Sequence, residues 1–411
     1  MAIGQHVETE ALARGPWTGI RFDRNELAGA FGDIGTDLPL ILAIILATGM
    51  DGASALIMFG LLQIMTGLMY RMPMPVQPLK AMATLVIASA QSPHPITAEA
   101  LLGAGLAIGV VMFLLSATGL IEWLARAIPK TVVRGIQLGL GLMLADIALR
   151  QFVPADGTSG YILAGLAFVI ALTLLGNRRV PPALLIIALG IAYAVAFKID
   201  PVSIARGVGL RLPQLHLPTW NDVLAGFVLL ALPQIPLSLG NSILATRQVA
   251  EDLFPERPLT VRRIGLTYAL MNLVNPFFGG IPTCHGSGGM AGHYAFGGRT
   301  GGSVIIYGSF YIVLGAFFSG SFAQVVEVFP KPILGIVLLF EALTLMLLVR
   351  DAAVARKPFM IVLLVGVLAA GLPRGYGYLA GMILGTVLYY ATRTRTGSAD
   401  SMSDESSDRS Q

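Results

Sequence analysis

Two proline- and glycine-broken stretches, residues 71–91 and 279–302, hold the residues of this sequence that could bind a small ligand. The first contains Lys80, a cation at the start of an otherwise apolar run. That run is about half as long as a membrane-spanning helix. Three prolines precede Lys80 and exclude a regular helix there, because proline lacks an N–H donor and restricts the residue before it. The stretch therefore predicts a half-helix that begins within a membrane beside a positive charge.

The second stretch passes from Pro282 through Thr, Cys, His and Ser residues into a series of glycines. Glycine lets the backbone approach a ligand closely, and successive N–H groups can form a concave anion site. A helix N-terminus adds partial positive charge and free N–H donors. We therefore expect the two stretches to face each other and to hold a small anion between half-helix N-termini. Close helix packing through small residues is the alternative, but it leaves Pro282 and the polar run unexplained.

The expected anion contacts come from these two stretches and from one amide in a later apolar segment. They are Gln77, Leu79, Lys80, Gln234, His285, Gly286, Ser287 and Gly288. Lys80 could instead snorkel towards water or pair with an acid, although charged residues within membrane segments are functional by default. His285 could equally be a buried histidine whose hydrogen bonds are satisfied by the protein.

Three acidic residues inside apolar segments could take up a proton or another cation: Asp33, Asp37 and Glu341. An acid within a membrane segment is costly unless it is paired or functional. Asp33 and Asp37 lie about one helical turn apart, so they could also balance the charge of Lys80. Two histidines, His285 and His293, have no matching Cys or carboxylate nearby, so no metal site is expected.

The composition is that of a polytopic membrane protein. Of the 411 residues, 55% are hydrophobic and only 12% are charged, and the mean hydropathy is +0.75. A soluble domain has roughly 25% charged residues. A single cysteine, Cys284, excludes an internal disulfide and a CxxC metal motif. Nothing in the sequence indicates a cofactor or a nucleic-acid partner, and the polar N-terminus does not resemble a cleavable signal peptide.

Apolar runs bounded by Pro, Gly and charged residues divide the chain into fourteen segments. The first seven are 27–49, 52–70, 78–91, 100–121, 131–149, 160–176 and 180–197. The second seven are 221–245, 261–278, 285–296, 302–322, 332–349, 358–372 and 375–392. The third and tenth are too short to cross a bilayer as one helix. The sequence thus predicts an all-α polytopic membrane protein with two short broken helices.

Matching positions in the two halves indicate an internal duplication. Three pairs match in the same order: residues 27–29 with 224–226, Pro75 with Pro282, and residues 129–130 with 330–331. An odd number of segments in each half places the second copy in the opposite membrane orientation. The sequence therefore predicts a seven-plus-seven inverted repeat, in which the two broken segments come together near the middle of the membrane.

The placement of basic residues predicts the orientation. Most of the 27 Lys and Arg residues fall on the cytoplasmic side when both termini are placed there, in agreement with the positive-inside rule. We therefore expect a multi-pass protein in the lipid bilayer of the cell membrane (plasma or inner). The expected division is a cytoplasmic tail (1–24), a first repeat (25–198), an extracytoplasmic linker (199–220), a second repeat (221–392) and a disordered cytoplasmic tail (393–411).

The same stretches resemble a known family. Residues 73–83, Pro-Met-Pro-Val-Gln-Pro-Leu-Lys-Ala-Met-Ala, and residues 282–299, which begin Pro-Thr-Cys-His-Gly-Ser-Gly-Gly, are similar to the two signature stretches of the molybdate transporter family. That family is related to the SulP sulfate permeases. Residues 32–39, Gly-Asp-Ile-Gly-Thr-Asp-Leu-Pro, resemble its first-helix motif. The resemblance extends over most of residues 25–392.

The resemblance implies a transporter fold with a core and a gate domain and with the anion between the third and tenth segments. It also implies the absence of the cytoplasmic STAS domain that is typical of sulfate permeases. Three positions depart from the family pattern: Ser287 where Ala is usual, His293 where Gln is usual, and Ala295 where Arg is usual. Ser287 and His293 lie close enough to the expected site to affect which oxyanion is selected.

The expected function is secondary active transport of a tetrahedral oxyanion, molybdate first and sulfate second, by alternating access. The chain lacks a GxxxxGK[ST] nucleotide-binding motif, so the energy must come from a gradient or from the anion itself. A nucleobase permease of the same fold would need carboxylates that face the ligand in the eighth and tenth segments. Those segments have Gln234, Asn241, His285 and Ser287 instead, which argues against it. An intramembrane enzyme has only Cys284 beside His285 as a candidate pair, so no enzymatic activity is expected. A channel and a homodimer both stay open as alternatives.

Overall fold

The computed structural model describes residues 19–30, 32–90, 92–127, 129–174, 182–197, 208–328, 330–353, 355–372, 377 and 380–392. Within these ranges the chain is mostly helical, and one main core of buried apolar side chains runs through it. The prediction of a helical polytopic protein is therefore confirmed. Most of the predicted N-terminal tail, part of the linker and the whole C-terminal tail lie outside the described residues.

The helices of the first half follow the predicted segments closely. They are α1 (Arg24–Ala30), α2 (Ile34–Thr48), α3 (Gly52–Tyr70), α4 (Lys80–Ser89), α5 (Ala98–Thr118), α6 (Leu120–Ala127), α7 (Lys130–Phe152), α8 (Gly157–Thr173) and α9 (Pro182–Phe197). The single predicted first segment is two helices, α1 and α2. Between them, Gly32 lies against the backbone of Gly292, where a side chain would collide, so a glycine is needed for another helix to approach this closely.

The second half repeats this order. Its helices are α10 (Trp220–Leu253), α11 (Val261–Val274), α12 (Ser287–Ala295), α13 (Gly302–Val328), α14 (Lys331–Leu347), α15 (Arg356–Gly371) and α16 (Ala380–Thr392). Helix α10 is longer than predicted because the chain after Leu244 stays helical as an amphipathic end that buries Thr246 and Ala250. Two π-helical turns interrupt α10 on either side of Pro233 and Pro236, where proline weakens the regular hydrogen-bond ladder.

Two short strands correct the all-α prediction. The strands β1 (Val76–Pro78) and β2 (Thr283–His285) pair as a two-stranded antiparallel sheet. Each strand lies directly before a short helix, α4 or α12. Proline in each stretch prevents the helix from extending backwards, so the chain is extended there. The backbone groups of such a segment need partners when they are buried, and the opposite strand supplies them.

Side-chain caps set several helix starts. Asp51, Thr97, Thr219 and Thr260 each precede a helix and accept a hydrogen bond from the backbone N–H three positions later. A cap of this kind satisfies one of the N–H groups that a helix start leaves without an intrahelical partner. These polar residues therefore explain where α3, α5, α10 and α11 begin.

The helices pack in two groups. In the first, α13 packs along α3 and contacts α1, and α5 packs against α10 and α11. In the second, α7 packs against α14 and α15, and α8 against α14. Helices α3 and α13 touch backbone to backbone, since a methyl group at Gly60 or at Gly308 would collide with the carbonyl oxygen of the other. Helices α2 and α4 lie between the groups, where α2 contacts α14 and α4 contacts α7.

Four of the described helices are long and apolar enough to cross a membrane: Gly52–Tyr70, Ala98–Thr118, Lys130–Phe152 and Trp220–Leu253. Shorter apolar helices surround them, among them Lys80–Ser89 and Gly157–Thr173. The described chain therefore has the repeated apolar helices of a multi-pass membrane protein.

Candidate functional site

The two broken stretches meet in the antiparallel sheet. The residue pairs are Val76 with His285, Gln77 with Cys284, and Pro78 with Thr283. The pairing continues beyond the strands, because the Leu79 N–H donates to the Pro282 carbonyl at 3.0 Å and the Gly286 N–H donates to the Pro75 carbonyl at 3.2 Å. The contact between the two stretches agrees with the expectation from the sequence.

The two short helices start at opposite ends of this sheet. Helix α4 begins at Lys80 and α12 begins at Ser287. The residues before them, Leu79 and Gly286, offer no side-chain acceptor, so neither helix start is capped by its own N-cap residue. The three-residue strands lie between the two starts. The geometry thus places two helix N-termini, each with partial positive charge, on either side of one short sheet.

Only part of this region is accessible. Both strands are buried, and Leu79 is 1% exposed. Lys80 and Ser287 are half-buried, and Gly288 is exposed with open space around its Cα. Of the predicted anion contacts, these three are the ones that are not buried.

Gln77 connects the sheet to the start of α2. Its Nε2 donates to the Asp33 Oδ2 at 2.6 Å, and both side chains are buried. The Gln77 carboxamide also packs against Gly286, where a side chain of any size would overlap it. The other side of Asp33 faces α12, because a side chain at Gly289 would collide with the Asp33 carboxylate. Asp33 therefore lies beside the first turn of α12, where the helix dipole favours a negative charge.

Gln234 reaches the start of α4 from α10. Its Oε1 accepts hydrogen bonds from the N–H groups of Ala81 at 3.0 Å and Met82 at 3.4 Å. Its Nε2 donates to the Ser238 Oγ at 3.2 Å. Gln234 is 2% exposed. The structure thus brings Gln234 to the predicted site, but in contact with the helix start.

His285 is buried, unlike Lys80, Ser287 and Gly288. Successive residues of a strand point to opposite faces of the sheet, so His285 lies on the face opposite to Cys284 and Gln77. Its Nε2 is 2.7 Å from the Thr267 Oγ1, and its ring packs edge-on against Tyr70 with centroids 5.5 Å apart. His285 thus has the surroundings of a buried histidine, but only its Nε2 has a hydrogen-bond partner among the described residues, so the alternative of a satisfied histidine is met in part.

The acidic candidates differ in their surroundings. Asp37 is fully buried, and the Tyr307 hydroxyl donates to its Oδ2 at 3.1 Å. Lys80 and Asp33 both interact electrostatically with Asp37. His293 is also fully buried, with its ring edge-on to Tyr307 at 5.6 Å between centroids. The side chain of the third candidate, Glu341, lies outside the described residues.

The sequence reasoning missed two amides that hold the sheet. The Gln63 Nε2 donates to the Val76 carbonyl at 2.7 Å, and the Val76 N–H donates to the Gln63 Oε1 at 2.9 Å. The Asn272 Nδ2 donates to the Thr283 carbonyl at 2.6 Å, and the Thr283 N–H donates to the Asn272 Oδ1 at 3.0 Å. In the sequence, each of these amides is the single Asn or Gln residue of the apolar helix before a broken stretch, and this pattern could have pointed to them.

Comparisons with known proteins identify the family. A sequence profile described as "Molybdate transporter of MFS superfamily" matches residues 25–144 and 226–345. The chain is 34% identical to Molybdate transporter 2 of Arabidopsis thaliana, over 94% of this chain and 91% of that protein. It is also 34% identical to Molybdate transporter 1 of the same plant, over 89% of this chain and 88% of that protein.

One solved structure shows the fold. The transmembrane domain of a cyanobacterium bicarbonate transporter, BicA, has a TM-score of 0.66 at 18% identity, over 90% of this chain and 98% of that chain. An identity this low concerns the fold alone. The family is shown instead by the profile, which matches in both halves of the chain, and by the two relatives, which match over nearly their full length. The chain therefore belongs to the molybdate transporter family, a family of transporters and not of enzymes.

Proposed function

We propose that this chain is a secondary active transporter of a tetrahedral oxyanion, with molybdate as the first candidate and sulfate as the second. The names of the relatives support molybdate. The observation that carries the proposal is that the starts of the two short helices carry Lys80 and Ser287, which are half-buried, and Gly288, which is exposed. Molybdate and sulfate share charge and shape, so selection between them depends on modest differences in size.

In the proposed site the anion lies between the starts of α4 and α12. Its oxygens accept hydrogen bonds from the Lys80 ammonium, the Ser287 hydroxyl and backbone N–H groups of the first turns. Charge-assisted hydrogen bonds of this kind are about twice as strong as neutral ones. Gln77 stabilises the site indirectly, because it packs against Gly286 and donates a hydrogen bond to the Asp33 carboxylate.

The proposed architecture is two inverted repeats, residues 25–198 and 221–392. The family profile supports a duplication because it matches two stretches of equal length, 25–144 and 226–345. The packing supports it as well. In the proposed repeat, α11 is the counterpart of α3 and α13 the counterpart of α5; α3 packs on α13, and α11 packs on α5. In the same way α14 is the counterpart of α7 and α15 that of α8; α7 packs on α15, and α14 packs on α8. An inverted repeat of seven segments produces such exchanged pairs.

We assign the two packing groups to a core and a gate domain. The core would contain α1 to α5 and α10 to α13, which include both short helices, and the gate would contain α7 to α9 and α14 to α16. Alternating access would move the core, with the bound anion, against the gate. The contacts between the groups include α2 with α14 and α9, and α7 with α4 and α10, so these surfaces would move against each other.

Of the two acidic candidates whose side chains the structure describes, Asp37 is our first coupling residue. It is fully buried, accepts a hydrogen bond from a neutral hydroxyl, that of Tyr307, and interacts electrostatically with Lys80. A carboxylate near a bound dianion is repelled by it. Uptake of a proton or cation at Asp37 would remove that repulsion, and so would favour binding of both solutes together.

We further propose a location in the cell membrane with both termini in the cytoplasm. This assignment depends on the positive-inside distribution of Lys and Arg residues. With this orientation α4 would run from the middle of the membrane towards the outside, and α12 would run towards the cytoplasm.

Uptake into proteoliposomes tests the function. The wild-type protein should accumulate molybdate, and competition by tungstate, sulfate and selenate over a range of pH should rank the substrates and detect proton coupling. Lys80→Ala should reduce uptake about 10- to 100-fold, because a hydrogen bond to a charged group is lost. Ser287→Ala should reduce it about 3- to 10-fold.

Lys357→Ala is the matched control, since Lys357 is exposed on α15 away from the sheet. It should transport like the wild type. Unchanged uptake in both Lys80→Ala and Ser287→Ala, with normal membrane insertion, would refute the site. No uptake of any of the four oxyanions by the wild-type protein would refute the function.

A further inference from the structure

The backbone donors at the start of α4 are already occupied. The N–H groups of Ala81 and Met82 both donate to the Gln234 Oε1. They belong to the first turn of α4, where a helix leaves its N–H groups without intrahelical partners and can bind an anion. A neutral amide oxygen from α10 therefore occupies the place that an oxygen of the substrate would take.

A buried hydrogen-bond chain holds the Gln234 amide in this orientation. Backbone N–H groups only donate, so the oxygen of the amide must face them. The amide nitrogen donates to the Ser238 Oγ, and that oxygen is 2.8 Å from the Tyr268 hydroxyl. Gln234, Ser238 and Tyr268 are all buried. The position of the oxygen at the helix start is thus set by groups on α10 and α11.

The start of α12 differs in this respect. There a carboxylate of the protein, Asp33, lies where a side chain of Gly289 would begin. A neutral oxygen is a weaker partner for a helix N-terminus than an anionic one. Of the two helix starts, α4 therefore has the partner that an incoming anion displaces more easily.

We infer that Gln234 is an internal competitor of the substrate. Its side-chain oxygen satisfies the N–H groups of Ala81 and Met82 while the site is empty, and the anion must displace it to bind. This inference rests on the proposed oxyanion site at the start of α4. A buried donor without a partner is costly, so the return of Gln234 after release also keeps the empty carrier stable.

The sign of one mutational effect separates a competitor from a ligand. Gln234→Met removes the competing oxygen and keeps the side-chain length. The purified full-length protein in detergent should then bind molybdate about 3- to 10-fold more tightly. Its melting temperature without anion should fall, because the N–H groups of Ala81 and Met82 lose their partner. If Gln234 were a ligand of the anion, its removal would weaken binding instead.

Gln234→Glu should have the opposite effect on binding. A carboxylate is a stronger partner for the helix start and repels an anion, so molybdate should bind at least about tenfold more weakly. Ser238→Ala keeps the Gln234 amide but removes the hydroxyl that holds it at the helix start. This variant, like Gln234→Met, should therefore bind molybdate more tightly than the wild type. This second variant keeps the test valid if Gln234→Met does not fold.

Gln137→Met is the matched control. Gln137 is a buried amide on α7 whose Oε1 accepts from Arg134 at 2.9 Å, away from the sheet. Its molybdate Kd should equal that of the wild type. An equal or weaker molybdate affinity in both Gln234→Met and Ser238→Ala would overturn the inference alone. A wild-type protein that binds no oxyanion would overturn the proposed function, and the inference with it.

Discussion

Gln63 and Asn272 have the same role in the two halves of the chain: each pairs its amide with both backbone groups of one residue in the strand that follows it. Each strand of the sheet therefore has the other strand along one edge and a side-chain amide along its other edge. The backbone of a strand presents donors and acceptors on both edges, so both are satisfied within an apolar surrounding. The sheet can persist at membrane depth for this reason.

Gln63→Leu should destabilise the protein strongly. The substitution keeps an apolar side chain of similar size but leaves the N–H and C=O groups of Val76 buried without partners. Each such group costs about 1–3 kcal/mol, so the free energy of unfolding should fall by about 2–6 kcal/mol. The melting temperature of the purified protein measures the effect. Asn272→Leu should behave alike, through Thr283.

Two comparisons make this prediction specific. Gln248→Leu removes an exposed amide that donates to Asp252, and its effect should stay within about 0.5 kcal/mol. The double variant Gln63→Leu/Asn272→Leu should lose less than the two single variants together, because both act on one sheet. A melting temperature of Gln63→Leu equal to that of the wild type would contradict the role of the amide.

The positions of the breaks could be predicted from the sequence because they depend on local chemistry. Pro75 and Pro78 restrict their own backbone and that of their neighbours whatever surrounds them. The strands could not be predicted, because three residues carry no periodic pattern. Whether the extended residues pair depends on a contact between positions far apart in the chain, as between Val76 and His285.

For the candidate site, the sequence predicts which residues stand at the helix starts but not where every side chain points. Lys80 and Ser287 stand at helix starts because the prolines and glycines before them fix those starts. The direction in which a side chain points depends on contacts between distant parts of the chain, so a local sequence pattern does not predict it. His285 was predicted as an anion contact, yet it lies on the other face of its strand and meets Thr267.

Glu26→Gln should loosen the contact between α1 and the start of α13. The Glu26 Oε1 accepts from the N–H groups of Arg299 at 3.0 Å and Thr300 at 2.9 Å, and Oε2 accepts from the Ser303 N–H at 3.0 Å. Glutamine turns one of these acceptors into a donor, so the unfolding free energy should fall by about 1–3 kcal/mol. Glu251→Gln, at an exposed carboxylate of α10, should leave the melting temperature unchanged, and an equal effect of both would contradict the prediction.

Asp351→Asn should lower stability by an amount that does not vary near neutral pH. Hydrogen bonds from Arg134 and Lys130 lower the pKa of Asp351 to about 2. A carboxylate with a lowered pKa stabilises the fold fully above its unfolded-state pKa, near 4, and loses this contribution as the pH falls towards 2. The ion pairs are partly exposed, so they contribute about 0.2–1 kcal/mol. The melting-temperature difference from wild type should be constant from about pH 5 to about pH 8, and a trend within that range would contradict the assignment.

Gly286→Ala should abolish oxyanion uptake while the protein still inserts into the membrane. The added methyl group would overlap the Gln77 carboxamide, so Gln77 would have to leave Asp33 and give up a charge-assisted hydrogen bond worth about 1.5–3 kcal/mol. Uptake in proteoliposomes should fall at least about tenfold. Gly288→Ala is the matched variant, because nothing lies within 4 Å of a Cβ at that position, and it should keep the wild-type melting temperature. Full uptake by Gly286→Ala would mean that the contact between Gln77 and Asp33 is not needed for transport.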